Sequence, residues 1–119
     1  MAKIMVVDDA PADLQNLKNI LTKGGHQVIE VTSGQDSIAK AKAEKPDAIV
    51  MDVVMPGVNG FQATRTLTND DATRHIPIIL VTSKNQETDR VWGMRQGAKD
   101  YVTKPVDEKE LVAKVAALA

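Results

Sequence analysis

The sequence predicts an α/β fold, a doubly wound parallel sheet of five strands with five helices, and three observations predict it. A short apolar run followed by a helix-like segment recurs five times along the 119 residues. Three of those runs are apolar without alternation, as strands covered on both faces must be. The connections are short, which favours right-handed crossovers and helices on both faces of one sheet.

The first strand is expected at residues 4–7. Pro11 opens the helix after it, and Leu14, Leu17, Ile20 and Leu21 follow at helical spacing until Gly24-Gly25 stops them. The second strand, 28–31, is more mixed in polarity and suits a sheet edge. Ser33 with Asp36 three residues on reads as a capping box for the second helix, which Pro46 ends. The third strand is 48–51, and Asn59 caps a third helix with Phe61 and Leu67 facing inward. The fourth strand, 78–81, precedes a helix over residues 86–96 with Gly97 just past its end. The fifth strand, 101–102, is again mixed. In the last helix Asp107 and Glu110 read as a capping box, with Val106 and Leu111 placed for a hydrophobic staple.

Composition removes several kinds of function. With 15 Lys and Arg against 16 Asp and Glu, the chain lacks the cationic excess a general nucleic-acid binder needs. No apolar stretch approaches the ~20 residues of a membrane span, and the N-terminus enters a strand with no signal-peptide pattern. Zero cysteines exclude disulfides, thiolate metal sites and thiol catalysis. The expectation is one cytoplasmic domain over residues 1–119 with no output domain, no nucleic acid and no membrane insertion.

In a doubly wound sheet the ligand site lies beyond the carboxyl ends of the strands. The residues there are Asp8 and Asp9, Asp52, Thr82 and Ser83, and Lys104 with Pro105. Taken singly each has an ordinary reading: a helix cap, a turn residue, the polar end of a strand, a surface lysine. Together they bring three carboxylates, a hydroxyl and an amine to one edge. Clustered carboxylates repel, so they require a cation or raised pKa values. All-oxygen ligation with room for water favours Mg²⁺ over zinc or copper, with Asp9 and Asp52 as direct ligands and Asp8 orienting a bound water. Lys104 and the metal could then balance a phosphoryl group carried on one carboxylate, with the Thr82 hydroxyl donating to it.

These residues, together with Val6-Val7-Asp8-Asp9, the segment from Pro46 to Asp52, Met55-Pro56-Gly57-Val58-Asn59-Gly60, Val81-Thr82-Ser83, Gly97-Ala98-Lys99-Asp100-Tyr101 and Lys104-Pro105, resemble the receiver domain of two-component response regulators. The similarity spans essentially the whole chain. It implies the flavodoxin-like receiver fold with strand order 2-1-3-4-5. It also implies that Asp52 accepts phosphate from a sensor histidine kinase. Asp8, Asp9, Asp52 and the backbone carbonyl of Val54 would hold Mg²⁺, for which Mn²⁺ can substitute. Thr82 and Lys104 would contact the phosphoryl group, and the Lys104–Pro105 peptide would be cis. Tyr101 would be a switch aromatic, exposed at rest and turned inward once Thr82 moves toward the phosphate. Val54 and Lys84, two positions after Asp52 and Thr82, would flank the attacking water. Where the family commonly has a polar residue before the first helix, this chain has Ala10, leaving amide donors to water or Asp13. Ala10→Ser is therefore expected to stabilise the fold by ~1 kcal/mol.

Output is expected through protein–protein binding on the face made by the fourth helix, fifth strand and fifth helix, where Arg90, Trp92, Arg95, Tyr101 and Lys109 fall. Trp92 reads either as an interface anchor or as half-buried packing. His26 and His75 show no metal-ligand spacing. The runs 86–93 and 60–65 resemble the small chemotaxis-like regulators of type IV pili and twitching motility. The expected assembly is a monomer, or a weak dimer formed on phosphorylation. Two other roles compete: a phosphate sink for a kinase shared with another regulator, and a small Mg²⁺-dependent phosphatase with an aspartyl-phosphate intermediate. Val54 offers that phosphatase no side-chain acid for a leaving group. A flavodoxin-like cofactor carrier would need a phosphate cradle where the chain has Asp8-Asp9-Ala10-Pro11.

Overall fold

The computed structural model describes residues 1–119. Strands and helices alternate throughout: β1 (Lys3–Val7), α1 (Pro11–Lys23), β2 (Gln27–Val31), α2 (Gly34–Glu44), β3 (Ala48–Met51), α3 (Gly60–Thr68), β4 (Ile78–Thr82), α4 (Glu87–Arg95), β5 (Asp100–Thr103) and α5 (Glu108–Leu118). The five strands are parallel in the order β2-β1-β3-β4-β5. The order reverses at β1, between β2 and β3, so the crevice beyond β1 and β3 is the switch point where such sheets hold ligands.

Because successive strand residues point to opposite faces, each strand feeds two cores. Ile4, Val6, Val50, Ile79 and Val81 pack against Leu14, Leu17, Ile20 and Leu21 of α1 and Leu111 and Val115 of α5. Met5, Val7, Ile49, Met51, Ile78 and Leu80 pack on the other side against Ala41 of α2, Ala63 and Leu67 of α3, and Tyr101 of β5. Strands β1, β3 and β4 have almost no exposed side chain, which explains their unbroken apolar runs.

The helix ends follow the expected chemistry with one difference. Ser33 accepts from the Asp36 amide, and Asp107 accepts from the Lys109 and Glu110 amides. Each is half of a capping box, because neither acid returns a bond to the cap residue. The complete box is at α3, where Asn59 and Gln62 exchange 2.9 Å hydrogen bonds. Helix α2 ends at Glu44, just ahead of Pro46, as expected. Lys45 turns into the left-handed region (φ 49°), since a residue before proline is disfavoured in the right-handed helix. Finally, β4 and β5 each run on by at least one residue, bringing Thr82 and Thr103 into register as a pair.

Candidate functional site

The carboxyl ends of β1, β3, β4 and β5 deliver the site. Asp8 follows β1 and is fully buried. Its amide donates to the Val31 carbonyl (3.1 Å), and one carboxylate oxygen accepts from the Ala10 amide at 2.9 Å. Asp52 follows β3, held by its own amide donating to the Val7 carbonyl (2.9 Å) and by the Val53 amide donating to Oδ1 (2.8 Å). Gly60, the first residue of α3, is what allows the helix to lie against this position. A Cβ there would fall 2.1 Å from the Asp52 carbonyl oxygen, so no other residue fits without moving the backbone.

Asp8, Asp9 and Asp52 each present a carboxylate oxygen within 4.8 Å of the others. Opposite them stands Lys104, whose amide donates to the Thr82 carbonyl at 2.8 Å and whose peptide to Pro105 is cis. Its Nζ lies 3.0 Å from Asp8 Oδ2 and 3.5 Å from Asp52 Oδ2. Thr82 is buried, its hydroxyl oxygen accepting from the Lys84 amide at 3.2 Å. Asp9 and Val54 are exposed at the mouth of the site.

The electrostatics follow from burial. Desolvation first, and the Asp8 charge second, push the Asp52 carboxyl above the usual carboxylate value of 3.8; Lys104 and the Val53 amide pull the other way without prevailing. For Lys104, burial opposes the ammonium, but the Asp13 and Asp8 hydrogen bonds overcome it and raise its pKa above the ordinary lysine value. One lysine thus faces more anionic charge than it can balance. A hard divalent cation with oxygen ligands fits both the donor set and the charge deficit.

One expectation needs correction. Tyr101 is not exposed: it is 5 % accessible, and its hydroxyl donates to the Lys84 carbonyl at 2.7 Å. The reason lies on α4, where Gly93 leaves a hollow. A Cβ at Gly93 would meet Leu80, Phe61 and the Tyr101 ring within 3.3 Å, so the ring fills space that glycine vacates and its polar end finds a partner. Desolvation, with Asp89 and Asp52 nearby, pushes the Tyr101 phenol up to about 12. Trp92 fits both of its sequence readings. It is 51 % exposed beside exposed Val91 and Met94, because α4 buries Gly93 alone. Arg90, Arg95 and Lys109 are exposed.

The sequence reading missed one member of the cluster. Asp13, offered with water as a partner for the free amides of α1, accepts from Lys104 Nζ at 2.9 Å. Its place in the first turn of the helix that follows Asp8 and Asp9 was the available signal, since that turn opens toward the same sheet edge.

A parallel sheet of this order with three aspartates, a threonine and a lysine at its carboxyl edge is the arrangement that the resemblance to phosphorylation-controlled regulators implies. The chain belongs to the response regulator receiver domain family, whose sequence profile matches residues 4–116. It is 56 % identical over 118 residues to protein PilH of Pseudomonas aeruginosa, covering 99 % of this chain and 98 % of PilH. The response regulator PleD of Caulobacter vibrioides is 41 % identical over 117 residues, covering 98 % of this chain but 26 % of PleD. Among solved structures, the receiver domain of a Pseudomonas aeruginosa sensor histidine kinase, determined with a magnesium ion coordinated in its active-site cleft, superimposes with a TM-score of 0.91. That match has 29 % identity and covers 98 % of this chain and 96 % of the other. Receiver domains bind Mg²⁺ in an acidic pocket and accept phosphate from sensor histidine kinases.

Proposed function

We propose that this chain is a phosphorylation switch whose acceptor is Asp52, and the convergence of Asp8, Asp9, Asp52, Thr82 and Lys104 at one sheet edge carries that reading. In the transfer, an Asp52 carboxylate oxygen bonds to phosphorus. The P–N bond of a donor phosphohistidine breaks, and its electron pair returns to the imidazole nitrogen. Asp8, Asp9, Asp52 and the Val54 carbonyl would hold Mg²⁺, which supplies charge stabilisation to the phosphoryl oxygens when bound. Lys104 supplies the second counter-charge, and Thr82 supplies a hydroxyl at the end of β4. Thr82 Oγ1 already accepts from the Lys84 amide, and Tyr101 donates to the Lys84 carbonyl. A pull on Thr82 therefore reaches the β4–α4 loop and the Tyr101 hydroxyl through one residue.

The output face is α4, β5 and α5, where Val91, Trp92 and Met94 stand exposed among Arg90, Arg95 and Lys109. The 56 % identity to PilH over nearly the full length of both chains, together with the runs 86–93 and 60–65, supports a role in control of type IV pili and twitching motility. The test is phosphorylation by acetyl phosphate with Mg²⁺, read by intact-protein mass. Wild type should gain one phosphoryl group and Asp52→Asn none. Stoichiometric phosphorylation of the Asn variant at another residue would overturn the assignment.

A further inference from the structure

We infer that Asp13 is a positioning residue for this site: it holds the Lys104 ammonium from the first turn of α1 and is the carboxylate that a phosphoryl oxygen displaces. The inference rests on the phosphoacceptor reading of Asp52. A lysine ammonium has three protons to donate. Here three carboxylates surround it: Asp13 at 2.9 Å, Asp8 at 3.0 Å and Asp52 at 3.5 Å. Only Asp13 and Asp8 accept hydrogen bonds from it, so a phosphoryl oxygen on Asp52 that draws the ammonium closer must loosen one of those two.

Their surroundings decide which. Asp8 has no exposed side-chain surface, so water cannot take the place of the lysine there. Asp52 carries the phosphoryl group and stays in place. The Asp13 side chain is 49 % exposed, so water can take over its hydrogen bonds at small cost. There is also room for the exchange. A cavity of about 180 Å³ lies beside the pair, lined by Asp13, Asn16, Leu17, Lys104, Pro105 and Val106. The backbone of Asp13 does not follow its side chain out, because Leu14 and Leu17 anchor that turn in the core. Asp13 thus acts as a built-in competitor, offering Lys104 an anion that the incoming group must beat.

The measurement uses the intact chain and beryllofluoride, a mimic of the aspartyl-bound phosphoryl group, titrated at saturating Mg²⁺ and read by ¹⁹F NMR. Asp13→Asn and Asp13→Ala should tighten binding by roughly three- to tenfold, and Asp13→Glu should stay near wild type. In the metal-free proteins, the Lys104 side-chain resonances should shift in Asn and Ala variants and be restored in Glu. A purely structural role would lower the melting temperature without tightening binding. Equal or weaker beryllofluoride binding by the Asn and Ala variants, with wild type binding normally, would overturn the inference alone. Failure of wild type to bind would remove the phosphoacceptor reading and the inference with it.

Discussion

Helices α1 and α4 lie on opposite faces of the same sheet and are held by different means. Helix α1 buries four aliphatic side chains, Leu14, Leu17, Ile20 and Leu21. At about 1.5–3 kcal/mol for each fully buried residue, that face anchors the helix many times over. Helix α4 buries only Gly93 and leaves Val91, Trp92 and Met94 in water. Its fastenings are polar and sit at its ends. The Gln86 amide donates to Asp89 at 3.3 Å, and the Thr68 hydroxyl donates to the Gln96 carbonyl at 2.8 Å. The rigid helix supports the chemistry, carrying Asp13 beside Lys104. The lightly anchored one borders Tyr101 and presents the apolar surface. Elements that move in switching come from the low-stability end of a structure, and α4 has that character by construction.

This contrast can be broken or sharpened by substitution. Leu21→Ala, in the fully buried face of α1, should cost about 3 kcal/mol through lost transfer energy and a cavity, read as a lowered urea midpoint. A cost below 1 kcal/mol would mean that α1 is no better anchored than α4. Next comes Ala10→Ser. Ala10 is the N-cap of α1 with an extended backbone (φ −87°, ψ 115°) and no capping side chain. Asp13, offered with water for the free amides, is engaged with Lys104. The serine should therefore add ~1 kcal/mol, and an unchanged midpoint would show those amides satisfied by another group. The smallest effect belongs to Trp92→Ala on α4, within about 0.5 kcal/mol of wild type. A larger loss would place Trp92 in the packing of the domain and remove it from the output face.

Much of the fold was legible because the physics is local. Strands buried on both faces must be apolar, and Pro11, Asn59, Asp107 and Gly97 mark helix ends by backbone rules. The principal site was legible for a related reason: a doubly wound sheet gathers strand-end residues, so Asp8, Asp52, Thr82 and Lys104 could be placed together before any coordinates. What escaped depends on distant shape. The inward Tyr101 needs a hollow supplied by Gly93 on another helix. The partner of Asp13 lies 91 residues away. The choice between the two readings of Trp92 stayed open because α4 has too few apolar positions for periodicity to choose a face.

The bond between Lys104 and Asp8 spans 96 residues, nearly the whole chain. No hairpin or single βα unit contains both the buried carboxylate and its ammonium. During synthesis the acidic half of the site leaves the ribosome long before the lysine that partners it. A nascent chain, or one clipped between the two, has aspartates but lacks the lysine held against them. The full charge arrangement of this sheet edge therefore exists only once β5 has joined the sheet.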